Sequence, residues 1–449
     1  MKPVAFLLCV LFTLTNPLLA QPTHQRSSNP TTITPAERRQ TIEATLKLLN
    51  DKYVQPEVAN RMEQYVRGRL STYQAITDGH ALARQLTTDL RTVSHDQHLN
   101  ISYFDTGVPD EHLWKKDLTS AERESQRIAM RKGLLHENFG ILDVSVLRGN
   151  LGYFNVKYLA PPEFAGESYS AALTYLAQTD ALIIDLRQCG GAMSEHAIPL
   201  LCSYFFAEPT HLNDIYWRDG NRTIQSWTYA QVPGRRYGNK PIYILTSRQT
   251  FSGAEELAYD LKNRNRAVLV GDTTGGGANP GGTLRINDHF AAFVPVGRAI
   301  NPITHTNWEG VGVVPDTAVP PNRALYIAQC MAFRQLSNNP ALDPDWRNAL
   351  TGILSELERN PPRYVRQTFV LRGYDGAKDV RVAGSFNGWA GPVNPFTRRG
   401  DAWVGEVEVE PGKLAYKFVV DGQWITDPAN SRTEGEGQYT NSVLEVVAK

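Results

Sequence analysis

The chain has 449 residues, with 46 Lys and Arg against 46 Asp and Glu. A formal net charge of zero excludes a generally basic nucleic-acid binder and an acidic disordered tail protein. At about 150 residues per domain the length allows two or three domains with sizeable cores, and four cysteines are too few for a disulfide scaffold.

Residues 1–20 (MKPVAFLLCVLFTLTNPLLA) place Lys2 ahead of an apolar run from Val4 to Leu14 and end on a small residue, Ala20. This pattern predicts a secretory signal peptide cleaved after Ala20. The run is short of the ~20 residues of a membrane span. The expectation is an exported protein, periplasmic or extracellular, with no integral membrane segment once the signal is removed. Three cysteines would remain, Cys189, Cys202 and Cys330; a Cys189–Cys202 bridge and free buried thiols both fit that count.

Residues 21–33 are polar and rich in Pro, Ser and Thr, as in a flexible leader. Thr34-Pro35-Ala36-Glu37 reads as a capping box, and Ile42, Leu46, Leu49 and Tyr53 form one apolar stripe behind it. Asp78 suits the cap of another helix that buries Leu82, Leu86, Leu90 and Val93. Residues 34–95 are therefore expected to be a helical domain. From His98 to Tyr103 apolar and polar residues alternate, as in a half-buried strand with His98 turned away from the packed face. Between 96 and 334, strand-like runs (151–158, 181–186, 242–247, 267–270, 291–296) alternate with helix-compatible segments. That pattern predicts an α/β unit with a mixed sheet. Residues 335–366 read as a helical connector closed by Pro361-Pro362, and 367–449 as short strands of a C-terminal β-sandwich.

The segment carrying most chemistry is Thr250-Phe251-Ser252-Gly253-Ala254-Glu255-Glu256. An apolar strand ends at Leu245 and a helix begins near Ser252, where unpaired N–H groups and the helix dipole favour developing negative charge. Ser252 could be a nucleophile with the Gly253 N–H as oxyanion donor, or simply a helix cap; this stretch alone favours the cap. Asp185-Leu186-Arg187-Gln188-Cys189-Gly190-Gly191 is a strand followed by a turn whose paired glycines expose N–H groups. Gly275-Gly276-Gly277 is not followed by the Lys of a phosphate-binding loop, and Asn307 to Asp316 holds one carboxylate, Glu309, between Trp308 and Gly310. Glu255 and Glu256 open a helix, where negative charge is favoured in any case.

In this order, with Asp96-Gln97-His98-Leu99 ahead of them, these pieces resemble the tail-specific (C-terminal processing) peptidase family. They resemble most the branch containing the tricorn core protease and interphotoreceptor retinoid-binding protein. The resemblance implies a serine peptidase with Ser252 as nucleophile, His98 as general base and Glu309 orienting His98. It implies an oxyanion site from the N–H of Gly253 and one of Gly190 or Gly191. The processing proteases proper use a lysine on the Gly-rich loop, and this loop has none. Gln97 stands where tricorn-like sites have a serine. The resemblance implies no cofactor, and no histidine pair has metal-ligand spacing.

The C-terminal part, with Gly384-Ser385-Phe386-Asn387-Gly388-Trp389, Tyr416-Lys417-Phe418 and Asp421-Gly422-Gln423-Trp424, resembles the glycogen-binding module of AMP-activated kinase β subunits, an immunoglobulin-like sandwich. That resemblance implies a sugar platform of Trp389, Lys417, Trp424 and Asn441 and an α-glucan partner, with aromatic rings stacking on glucose faces. The tryptophans could equally brace the peptidase unit. The expected partners are therefore a peptide or protein substrate and an α-glucan, with no nucleic acid. The alternative is a non-catalytic ligand-binding or α-glucan-binding protein on the same scaffold.

Overall fold

The computed structural model describes residues 32–109, 113, 119–387, 389, 395–437 and 440–447. The signal-peptide reading and most of the leader lie outside the described residues.

Thr34 and Glu37 form the reciprocal cap at the start of the helix Pro35–Lys52, with N–O distances of 2.7 and 3.2 Å. Asp78 accepts from the Ala81 N–H (2.7 Å) at the start of Gly79–Ser94. These helices and Pro56–Gly68 do not close a core of their own. Ile42, Leu46, Leu82 and Leu86 pack against an antiparallel sheet of Asn100–Tyr103, Phe290–Pro295 and Gly281–Arg285. The run at 291–296 therefore belongs to this small sheet, apart from the parallel strands. The reason is its antiparallel register with Asn100–Tyr103, a pairing that apolar character does not reveal.

The central sheet has six strands. Ala181–Asp185 is flanked in parallel by Leu151–Val156 on one side and by Ile242–Thr246, Val268–Gly271 and Thr317–Ala318 on the other. Ile141–Leu147 completes the Leu151 edge in the antiparallel sense. Parallel strands buried on both faces read as continuous apolar runs, which is how these do. One face is covered by Pro162–Leu176, Ala197–Ser203 and Gly253–Asn263. The other is covered by Ala324–Ser337 and Pro344–Arg359, whose Leu350 and Leu354 are buried beside Leu151 and Ile183. The helix within 335–366 thus does more than connect: its apolar stripe covers a sheet face that water would otherwise meet.

Residues beyond 364 form two antiparallel sheets, one of Val365–Arg372, Ala402–Val409 and Thr397–Arg399, the other of Val380–Gly384, Gly412–Val420, Asn441–Val446 and Thr433–Glu434, with Gln423–Ile425 paired to Gly412–Val420. Phe369, Leu371, Val382, Tyr416 and Phe418 share one core between them. This unit is tied to the α/β part by Arg323–Glu408 (2.9 Å), by Tyr364 Oη to Asn322 O (3.0 Å) and by Gln249 Nε2 to Asn387 O (3.0 Å). Cys189, Cys202 and Cys330 are all free and buried, so the Cys189–Cys202 bridge does not form. Among the described residues no helix is long and apolar enough to cross a membrane.

Candidate active site

Ser252 sits between the strand Ile242–Thr246 and the helix Gly253–Asn263, with φ 53° and ψ −124°. A simple N-cap residue has extended backbone, whereas a positive φ on serine is strained and persists only when its surroundings impose it. Three bonds impose it here. Phe251 N–H donates to Cys189 O (3.0 Å), Thr250 Oγ1 to Leu186 O (2.8 Å), and Ser252 N–H to Glu255 Oε2 (2.8 Å). The serine turn is thereby sewn to the strand-turn that carries Gly190 and Gly191.

Glu255 is more than a helix-opening charge. Its carboxylate, fully buried, also accepts from Gly277 N–H (2.8 Å), Gly276 N–H (2.7 Å) and Thr274 Oγ1 (2.5 Å). It fastens the Gly-rich loop to the serine turn. Burial pushes its carboxyl up to about 7, against the pull of those four donors. The Ser252-x-x-Glu255 spacing of a capping box is the sequence signal for it.

The two glycines proposed for the oxyanion differ. The Gly190 N–H donates to Lys157 O (3.0 Å) and is spent. The Gly191 carbonyl accepts from Leu159 N–H (2.8 Å), and its N–H has no such partner among the described residues. Gly253 lies against the same turn: a Cβ on it would stand 2.4 Å from Ala192 Cβ and 2.9 Å from Ala192 N. The N–H groups of Gly253, Gly191 and Ala192 thus lie in one junction and donate no backbone hydrogen bond among the described residues.

His98 follows the helix Gly79–Ser94, one residue before the buried Leu99 that anchors the next strand. Its ring lies between Phe251 and Phe293, with centroid distances of 4.6 and 5.7 Å. Asp96, also fully buried, accepts the His98 N–H (3.0 Å), the Tyr53 hydroxyl (3.1 Å) and Asn279 Nδ2 (3.0 Å). Glu309 Oε2 accepts the N–H groups of Ala278 (2.6 Å) and Asn279 (2.9 Å). Glu309 Oε1 and His98 Nδ1 are both buried and have no hydrogen-bond partner among the described residues. A His98 ring nitrogen and one carboxylate oxygen each of Asp96 and Glu309 lie within 4.8 Å of one another.

Burial, with Arg91 nearby, pushes the imidazole down to about 3. Burial and the neighbouring Asp96 push Glu309 up to about 9. The imidazole is thus neutral at rest. Asp96 and Oε2 of Glu309 already face N–H and O–H donors, whereas Glu309 Oε1 and His98 Nδ1 keep their lone pairs.

Ser252 and His98 line one cavity of about 50 Å³, with Gly253, Ala192, Gly277 and the buried Trp308 in its wall. Trp308 Nε1 donates to Gly277 O (2.9 Å), and among the described residues no lysine is in the lining.

Residues 155–319 match the model of peptidase family S41, and residues 34–144 match that of the N-terminal domain of this peptidase in eukaryotic IRBP. The chain carries a peptidase family S41 domain. Residues 367–449 match the glycogen recognition site of AMP-activated protein kinase. The chain is 34% identical to the 5'-AMP-activated protein kinase subunit beta-1 of Rattus norvegicus across 91 residues, and 36% identical to that of Mus musculus across 93. These stretches are 20% of this chain, and the chain spans about a third (33%) of the length of those relatives. The structure of mature CPAF covers 68% of this chain and 98% of its own at 14% identity and a TM-score of 0.45. The photosystem II D1 C-terminal processing protease covers 64% and 94% at 15% identity and a TM-score of 0.38.

In the glycogen-recognition part, Val419 pairs with Trp424 and Ala415 with Val443. Leu414, Tyr416, Phe418 and Val420 point into the core, so Lys417, Trp424 and Asn441 share the opposite, outer face by the alternation of the strands. Trp389 lies in the turn after Val380–Gly384, its N–H donating to Gly384 O (2.9 Å). Both tryptophans are half-buried and Lys417 is buried, a less open surface than the sequence suggests.

Proposed function

We propose that the protein is an exported serine endopeptidase working through Ser252, His98 and Glu309, with its C-terminal part binding α-glucan. The observation that carries this is the strained Ser252 turn facing the same cavity as a neutral, buried His98.

His98 takes the hydroxyl proton of Ser252 as the oxygen attacks the scissile carbonyl, forming a tetrahedral adduct. The N–H groups of Gly253 and Gly191 hold the oxyanion, aided by the positive end of the helix that starts at Gly253. Glu309 Oε1 and His98 Nδ1, both unpaired at rest, would pair as the imidazolium forms, and Glu309 would stabilise it, the part an acidic residue plays in such triads. His98 then passes its proton to the leaving amine, and water releases the acyl group by the reverse path. Asp96 positions His98 from its backbone side. Lys417, Trp424 and Asn441, with Trp389, would hold the sugar on the outer sheet face and keep the peptidase at a glucan surface.

Peptide hydrolysis by the purified protein, compared with Ser252→Ala and Glu309→Gln, tests the reading. Ser252→Ala should abolish turnover and Glu309→Gln should lower kcat by roughly 10²–10⁴ with the fold retained. Turnover that survives Ser252→Ala would overturn it.

A further inference from the structure

The cavity at Ser252 extends beyond the reacting groups, and its far wall carries charge. Besides the residues already named it is lined by Glu195, Ile198, Ile215, Glu256 and Ala299. Glu256 stands one turn into the helix that Ser252 opens, its N–H donating to Ser252 O (3.0 Å). At 1.5 Å rise per residue this sets it about 6 Å along the helix axis from the nucleophile. Glu195 comes from the turn between Ala192 and the helix Ala197–Ser203, that is, from just beyond the oxyanion donors. Both glutamates are half-buried.

Their carboxylates are poorly served by the protein. Asn213 Nδ2 donates to Glu256 Oε1 at 3.3 Å, and no other side-chain hydrogen bond is made by Glu256 or Glu195 among the described residues. Among the described residues no lysine or arginine lines the cavity. Arg222 and His196 attract Glu195 from outside it. One turn beyond Glu256, Asp260 faces Arg264 (3.8 Å) and Asn301 (3.3 Å), so that cation is already engaged by another carboxylate. Two half-buried carboxyl groups in one pocket are costly unless a cation joins them. Burial and mutual repulsion accordingly hold Glu256 up to about 7.

We propose that Glu195 and Glu256 make this cavity the primary specificity pocket for a lysine or arginine side chain on the acyl side of the scissile bond. The methylene stem lies along Ile198 and Ile215 while the charged head meets the carboxylates, a division suited to both side chains. An acidic side chain would add a third like charge and is rejected. The inference rests on Ser252 being the nucleophile.

The test uses the full chain and fluorogenic peptides that differ only in the residue before the scissile bond: Lys, Arg, Leu or Glu. The Lys and Arg peptides should exceed the Leu peptide in kcat/KM by roughly 10–100-fold, and Glu should be the poorest. In Glu256→Gln and in Glu195→Gln, made separately in case one fails to fold, the Lys-to-Leu ratio should fall towards one. Calorimetry with the same peptides and Ser252→Ala reads the pocket without the chemistry and should keep the cationic preference. A Leu peptide equal to or better than Lys in both measurements overturns the pocket assignment. Cationic preference in binding without any turnover would instead overturn the Ser252 reading and leave the pocket standing.

Discussion

Glu255→Gln removes one carboxylate oxygen from a buried junction that has four donors. Oε2 serves Ser252 N–H and Gly277 N–H, and Oε1 serves Gly276 N–H and Thr274 Oγ1. A glutamine keeps the first pair by pointing its carbonyl there, and its amide can donate to the Thr274 hydroxyl once that group turns. The Gly276 N–H is then orphaned in the interior, at a cost of about 1–3 kcal/mol. In a unit of this size that lowers Tm by several degrees, at roughly 2–4 °C per kcal/mol. The loss of function should be larger than the loss of stability. A Cβ on Gly277 would stand 2.7 Å from His98 Cε1, so a shift of this loop moves His98. A misplacement of about 1 Å can cost ~10²-fold in rate. The variant should therefore label with a fluorophosphonate at least tenfold more slowly while still unfolding cooperatively. The two proteins also differ with pH. The wild-type carboxyl has its folded value raised, so this group adds stability as pH falls from about 7 towards its ordinary range, and the glutamine does not titrate. The stability gap should widen on the acid side. Wild-type Tm and wild-type labelling in Glu255→Gln would refute the account of this junction.

Gly277→Ala places a methyl group 2.3 Å from the Phe251 ring and 2.7 Å from His98, and should depress kcat with little change in far-UV circular dichroism. Because His98 is held low, the acid limb of kcat/KM should lie well below the ordinary histidine range, and activity should still rise towards pH 9 as Glu309 ionises. A simple limb near 6.5 with a flat alkaline side would contradict those environments. Trp424→Ala should abolish retention on starch and leave peptide turnover unchanged; retention without Trp424 would remove the outer face as the sugar platform.

Much of the architecture was legible because local signals and burial agreed. Thr34-x-x-Glu37 and Asp78 mark real helix starts, and the apolar runs at 151, 181, 242 and 267 are the parallel strands. The order of motifs was enough to single out Ser252, His98 and Glu309 as candidates. What stayed hidden depends on contacts distant in sequence. The roles of Glu255 and Asp96 are set by donors 19 to 22 and 183 residues away, in Thr274, Gly276, Gly277 and Asn279. Nothing in Gly190-Gly191 says which N–H is spent on Lys157, and nothing in Pro344–Arg359 says which sheet face it covers.

The most direct measurement is mass spectrometry of the purified protein after reaction with a fluorophosphonate. A single adduct on the peptide containing Ser252, absent in His98→Ala, is the result this account predicts. No adduct, or an adduct on another serine that His98→Ala leaves intact, would contradict it.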